Sequence, residues 1–343
     1  TLSVTPKADF AGVLYLTLET YDLVDRMTPQ HFTLTVTPVA DAPTVPPVGR
    51  FAPSPSGPLH FGSMVAALGS CLSARSRQGR WLLRIEDVDV PRSVPGAAEG
   101  ILRTLEAFGF AWDGDVIWQS RRTAAYREAF ARLEAEGHLF GCACTRKEMA
   151  DSTLTRDGTR RYPGTCRAGL PAGREARAWR LRVPPGRIAF VDGIQGGIDE
   201  DVSAEVGDFV LLRADGLFAY QLAVVVDDAE TGVTEVVRGA DLLDSTARQI
   251  VLERMLAYPT PAYAHLPVAT NGAGEKLSKQ TLARSVEGAR PAQVLVDALD
   301  FLGQGPPPGL ADCGLDEVWQ WALRNWSMTR VPARRQAPCP AYA

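Results

Sequence analysis

Three short stretches carry residue types that could do chemistry. In "RFAPSPSGPLHFGS" (residues 50–63) His60 sits where a proline-rich turn runs into a helical pattern. A helix start offers unpaired N–H groups and the positive end of a dipole, so it attracts phosphate. A histidine there can donate to a phosphate oxygen, and Gly57 and Gly62 let a bulky ligand approach the backbone. The same residues would also serve as a plain capping turn with a satisfied histidine. "GEKLSKQ" (274–280) puts Lys276 and Lys279 around a serine in a polar, glycine-flanked loop. Such lysines could clamp phosphates and stabilise charge that builds up when phosphorus is attacked; a solvated surface loop is the alternative. The third stretch is Cys142-x-Cys144 with Cys166 downstream. In a chain that needs no disulfide staples, this spacing reads as metal ligands rather than as a bridge.

These groups need a scaffold, and 343 residues suffice for two or more domains. The hydrophobic fraction is 45%, the charged fraction 22% and the formal net charge −4. That is the composition of a soluble globular protein with no global field for nucleic acid, although a local basic patch is compatible with it. The longest apolar run, "FAYQLAVVV", is too short to span a bilayer, and no secretory signal pattern opens the chain.

Up to about residue 45, "GVLYLTLET" and "HFTLTVTPV" alternate with period two, which predicts antiparallel strands, and "ADAPTVPPVG" reads as a stiff linker. This piece resembles the end of a bacterial cadherin-like or immunoglobulin-like adhesin repeat. From Val48 the texture becomes α/β. Phe61, Met64, Val65, Leu68 and Leu72 recur at helical spacing, and "RWLLRIEDVD" has the apolar run of a buried parallel strand. "GAAEGILRTLEAFGF" and "TAAYREAFARLEAEGHL" are amphipathic helices, so a parallel sheet with crossover helices is expected. Residues 141–207 read as an insertion. "FVLLRADGLFAYQLAVVVDD" is expected to turn at Asp215-Gly216 and lead back into buried strand. "DSTARQIVLERMLAYP" is expected to be a helix capped by Asp244 or Ser245, and the proline-rich tail after Gly305 to be disordered.

Together, "PLHFGS" and "KLSKQ" resemble the two signatures of class I aminoacyl-tRNA synthetases. "LLRIEDVDVPRS", "WQSRRTAAY" and "FAYQLAVVVDDAETGVTEVVRGADLL" extend the resemblance to the glutamyl branch, from about Gly49 to about Pro307. The chain after Gln280 is too short for the large anticodon-binding region of a complete glutamyl enzyme, so the resemblance is best to the truncated glutamyl-Q tRNA(Asp) synthetase family. That family activates L-glutamate with ATP without tRNA and transfers it to the queuosine base of tRNA(Asp).

The resemblance implies a Rossmann-like parallel sheet in two halves (46–140 and 208–290), a zinc-containing insertion (141–207), a helical C-terminal part with a disordered tail (291–343) and a β-rich extension (1–45). His60 and Lys279 would be catalytic, and His60, Gly62, Ser63, Lys276 and Lys279 would bind ATP with its Mg²⁺. Arg50, Phe51, Ala52, Pro53, Ser54, Glu86, Tyr220 and Arg238 would bind glutamate: Glu86 its ammonium, and the two arginines its carboxylates as bidentate forks. Asp87, Asp89, Asp227 and Asp228 would shape the pocket or bind ribose. Cys142, Cys144, Tyr162 and Cys166 match the family's ligands for one structural Zn²⁺. The matching expectations are a monomeric cytoplasmic enzyme with no membrane partner. Two alternatives are a C-terminally truncated glutamyl-tRNA synthetase and an inert synthetase-like module fused to an adhesin repeat.

Overall fold

Two compact units, Thr1–Val45 and Pro46–Ala343, make up the computed structural model. It describes residues 12–21, 27–36, 45–145, 147–149, 152–155, 158, 160–277, 284–339 and 342. In the first unit, strands Gly12–Tyr21 and Met27–Val36 pair antiparallel, from Gly12 opposite Val36 to Tyr21 opposite Met27.

The second unit is built on parallel strands. Val48–Phe51, Arg80–Ile85 and Ile117–Trp118 lie side by side in that order, and Glu235–Gly239 pairs in parallel with Ala262–Leu266. Thr234 joins the two sets: its N–H donates to the Val48 carbonyl at 2.9 Å, and its hydroxyl accepts from the Val48 N–H at 2.9 Å. Trp81, Leu83 and Ile85 on one face and Leu82 and Arg84 on the other are all buried, as a strand covered on both faces requires. Crossover helices Phe61–Arg75, Ala97–Ala107 and Leu243–Met255 connect consecutive parallel strands. The first buries Phe61, Met64, Val65, Leu68 and Leu72, the stripe set by their spacing.

Between the halves, Val210–Leu212, Ala178–Leu181 and Leu139–Cys142 form a three-stranded antiparallel sheet in that order. A hairpin, Ile188–Asp192 with Gly196–Glu200, follows the middle strand of that sheet in the chain. Its turn is pinned to the main sheet by the Gly193 N–H, which donates to the Tyr263 carbonyl at 2.8 Å.

Three sequence expectations are corrected. After the turn at Asp215-Gly216 the chain enters a helix, Tyr220–Glu230, rather than a buried strand. Leu222 to Asp228 are all buried there, so packing on every side erases the helical period from the sequence. Helix Leu243–Met255 starts after Leu242, which places Asp244 and Ser245 inside its first turn rather than at its cap. The described part of the tail is ordered: helix Leu315–Asn325 packs beside Pro291–Phe301, strand Gln336–Pro338 pairs in parallel with Val268–Thr270, and Tyr342 stacks on Phe61 with ring centroids 4.1 Å apart. Among the described residues, no helix is long and apolar enough to cross a membrane.

Candidate active site and metal centre

At the ends of strands Val48–Phe51 and Glu235–Gly239 a cleft of about 450 Å³ opens. Its walls include Arg50, Phe51, Ala52, Pro53, Ser54, His60, Gly62, Ser63, Glu86, Tyr220, Arg238 and Lys276. Every residue expected to bind glutamate, and every one expected to bind the ATP phosphates except Lys279, is therefore on one cleft; Lys279 lies outside the described residues.

His60 is the N-cap of helix Phe61–Arg75, and its Nδ1 accepts from the Ser63 N–H at 3.3 Å. The capping and phosphate-binding readings are thus compatible. With Nδ1 an acceptor, the proton of the neutral ring is on Nε2. Gly62 is glycine for a steric reason: a Cβ there would come within 3.2 Å of the His60 ring and 3.5 Å of the Leu277 carbonyl oxygen. That contact also shows how near the second signature lies. The Leu277 N–H donates to the Ala269 carbonyl at 2.8 Å, and Ser285 forms a β-bridge with His60. Leu277 and Ser285, which bracket Lys279 in sequence, are both anchored beside the first signature. Lys276 pairs with Asp241 at 2.5 Å.

The opposite part of the cleft is set by two buried charge networks. Arg84 is 1% exposed and donates to Asp228 at 2.5 Å and to Glu86 at 3.2 Å. Arg50 donates through Nε to both Asp228 oxygens at 3.3 Å. Burial would raise the Asp228 carboxyl, but Arg50 and Arg84 outweigh it and hold it below the usual range. Burial pushes Glu86 up in spite of the same two arginines. Asp227 is tied to Arg122, Gln119 and Tyr126. Asp227 and Asp228 thus stand behind the pocket wall, and Asp87 and Asp89 are engaged by Ser120 and by Arg92 and Arg213. None of the four lines the cleft.

The second network holds Arg238, itself 5% exposed. Its Nε donates to His265 Nε2 at 3.0 Å and its Nη2 to Thr246 Oγ1 at 2.9 Å. Nη1 is buried and has no hydrogen-bond partner among the described residues. The two-pronged fork expected at this residue is therefore not free: Nε and Nη2 are spent on the protein, and Nη1 alone of its three nitrogens is without a partner among the described residues. Sequence reasoning gave no role to Asp241, though it lies in the quoted "RGADLL", nor to His265, whose partners are distant in sequence.

In the insertion, the three sulfurs of Cys142, Cys144 and Cys166 lie within 4.8 Å of one another. Cys144 and Cys166 are 3.7 Å apart, and the Tyr162 hydroxyl is 3.6 Å from Cys142 and 3.8 Å from Cys144. A tetrahedron with metal–sulfur bonds of about 2.3 Å has edges of about 3.8 Å. The donor set fits a closed four-ligand shell with the phenol oxygen at the fourth corner. Burial and the neighbouring thiols push the Tyr162 phenol up, so a bound cation would have to supply the energy to ionise it.

The family described as "tRNA synthetases class I (E and Q), catalytic domain" matches residues 48–303. The glutamyl-Q tRNA(Asp) synthetase of Aromatoleum aromaticum is 66% identical over 295 residues, covering 86% of this chain and 93% of that protein. The protein of the same name from Dechloromonas aromatica is 61% identical, covering 85% and 98%. Among solved structures, a glutamate-tRNA synthetase from Elizabethkingia anophelis superposes with a TM-score of 0.72 at 25% identity, covering 86% of this chain and 68% of that one.

Proposed function

The chain belongs to the class I (E and Q) tRNA synthetases, and we propose that it activates L-glutamate with ATP and transfers the glutamyl group to the queuosine base of tRNA(Asp). In the first step a glutamate α-carboxylate oxygen attacks the α-phosphorus of ATP. The bond to the bridging oxygen breaks and pyrophosphate leaves. Charge grows on the α-phosphate oxygens, where the Nε2–H of His60 and the start of helix Phe61–Arg75 offer donors. Gly62 and Ser63 line the same end of the cleft, and Lys276 and Lys279 balance the phosphates together with the Mg²⁺ that accompanies ATP.

Glutamate is recognised by opposite charges. Glu86 takes its ammonium, and Arg50 and Arg238 take its carboxylates. Tyr220 and the Phe51–Ser54 segment line the space between them. In the second step a hydroxyl of queuosine attacks the activated carbonyl, the bond from that carbonyl to the phosphate oxygen breaks, and AMP departs with its phosphate taking up the hydroxyl proton, so no side chain is required as a base. Cys142, Cys144, Cys166 and Tyr162 would hold one Zn²⁺, whose part is structural, tying the insertion together.

The observation that supports this reading is that His60, Gly62 and Ser63 of the first signature, Lys276 and Leu277 of the second, and the residues expected to bind glutamate line one cleft. The relatives named glutamyl-Q tRNA(Asp) synthetase are covered over 93% and 98% of their own length, which favours that activity over a fragment of an ordinary glutamyl enzyme. The test is glutamate-dependent ATP–pyrophosphate exchange without tRNA. It is followed by glutamate transfer to queuosine-containing tRNA(Asp), compared with charging of tRNA(Glu). Exchange with charging of tRNA(Glu) alone would favour the fragment, and no exchange at all would favour an inert module.

A further inference from the structure

The second buried network reaches further than Arg238. His265 is completely buried, and its Nε2 faces Arg238 Nε. An arginine Nε–H can only donate, so His265 Nε2 must accept, and the ring proton must be on Nδ1. Nδ1 lies 2.5 Å from Asp192 Oδ2. Asp192 is 2% exposed, and its other oxygen, Oδ1, accepts three backbone N–H groups: Ile194 at 3.0 Å, Gln195 at 2.9 Å and His265 at 3.1 Å. The result is a directed chain, carboxylate to imidazole to guanidinium, with one possible arrangement of protons.

This chain begins in the hairpin of the insertion, where Asp192 ends the strand Ile188–Asp192. It ends at the cleft wall. It turns the Arg238 guanidinium so that Nε and Nη2 face the protein. The Tyr263 ring, 5.4 Å from the guanidinium carbon and stacked on the His265 ring, flanks both groups.

We propose that Asp192 and His265 are positioning residues for substrate recognition: by fixing the imidazole tautomer they hold Arg238 with Nη1 presented to a carboxylate of the amino acid. The proposal rests on the reading of the cleft as a glutamate site.

Asp192→Asn tests it with little change of shape. The three backbone donors at Oδ1 keep the amide oxygen there, which puts the amide N–H₂ opposite His265 Nδ1. The ring proton must then move to Nε2, where it confronts the Arg238 Nε–H. D192N is expected to raise KM for glutamate by about tenfold or more, because a small misplacement of a binding group is that costly, and to leave KM for ATP unchanged. Nitrogen NMR of His265 should report the Nδ1–H tautomer in the wild type and the Nε2–H tautomer in D192N. His265→Gln, whose oxygen can still accept from Arg238, should bind glutamate better than His265→Phe; this pair carries the test if D192N does not fold. An active wild type with unchanged glutamate KM in D192N overturns the proposal, as do equal rises for glutamate and ATP, or H265Q no better than H265F. A wild type with no glutamate-dependent exchange, but with the expected tautomer, refutes the glutamate reading and the proposal's substrate with it.

Discussion

Exchanging Glu86 for Gln should separate substrate recognition from folding. In the free protein, burial pushes the Glu86 carboxyl up against the pull of Arg84 and Arg50, so its charged form is less comfortable in the fold than in water. A carboxyl raised above its ordinary 4.5 costs stability once pH climbs above that value, and the cost grows until the folded-state group has ionised. Gln removes that charge, while its amide oxygen can still accept from Arg84 Nη2, now 3.2 Å from Glu86. Stability of E86Q at neutral pH should therefore equal or exceed that of the wild type in urea unfolding. Binding should move the other way. A hydrogen bond to a charged partner contributes about 1.5–3 kcal/mol, or about 10- to 100-fold in affinity. KM for glutamate in the exchange assay should rise by that factor while KM for ATP stays put. The wild type should also lose glutamate affinity on acidification at a higher pH than an ordinary carboxylate would dictate. A folded E86Q with unchanged glutamate KM would refute the assignment of Glu86 to the ammonium.

Further outcomes follow from the same geometry. His60→Ala should cut adenylate formation by about 10²- to 10³-fold but cost only about 1 kcal/mol of stability through the lost cap on the Ser63 N–H; stopped-flow rates and urea midpoints check the two. The wild type should contain one Zn²⁺ per chain by elemental analysis, and Tyr162→Phe, which removes one of four donors, should release it to a chelator faster. Burial pushes His265 down to about 4, with Asp192 opposing and Arg238 assisting. The unfolded chain therefore takes up this proton near pH 6.5 and the folded one does not, so stability should fall between about pH 6.5 and 4 by up to about 1.4 kcal/mol per unit. His265→Gln should flatten that slope in urea titrations.

How much was legible in the sequence depended on whether the determining contacts are local. Helix Phe61–Arg75 was readable because its large apolar residues Phe61, Met64, Val65, Leu68 and Leu72 recur at helical spacing, with small residues such as Ala67, Gly69, Ser70 and Ser73 buried between them, and the His60 turn because caps act within one turn. Cys142, Cys144 and Cys166 announced themselves by type and spacing, and their sulfurs do meet. Helix Tyr220–Glu230 was not readable, since a helix buried on every side is as apolar as a central strand. The tail was misjudged because its prolines argue against regular structure. One of them, Pro338, nevertheless stands opposite Thr270 in a short parallel ladder, an edge position where a missing N–H is tolerated. Pairing of Asp192 with His265, and of Arg50 with Asp228, joins residues far apart in the chain. No local pattern encodes such pairs.

The two buried networks are better explained by recognition than by stability. A buried ion pair returns little more than its desolvation cost, and well-packed apolar residues would often serve the fold as well. Yet Arg84 and Asp228 are locked behind Glu86 and Arg50, and His265 and Asp192 behind Arg238. Each charged group assigned to glutamate is thereby held by a second charged or polar group that the substrate never touches. A small zwitterion with an extra carboxylate has few atoms with which to reward the ordering of flexible side chains. Arginines already turned, and a carboxylate already placed, spare it that cost. This is why loss of Asp192 or Asp228 should weaken glutamate binding without either residue lining the cleft.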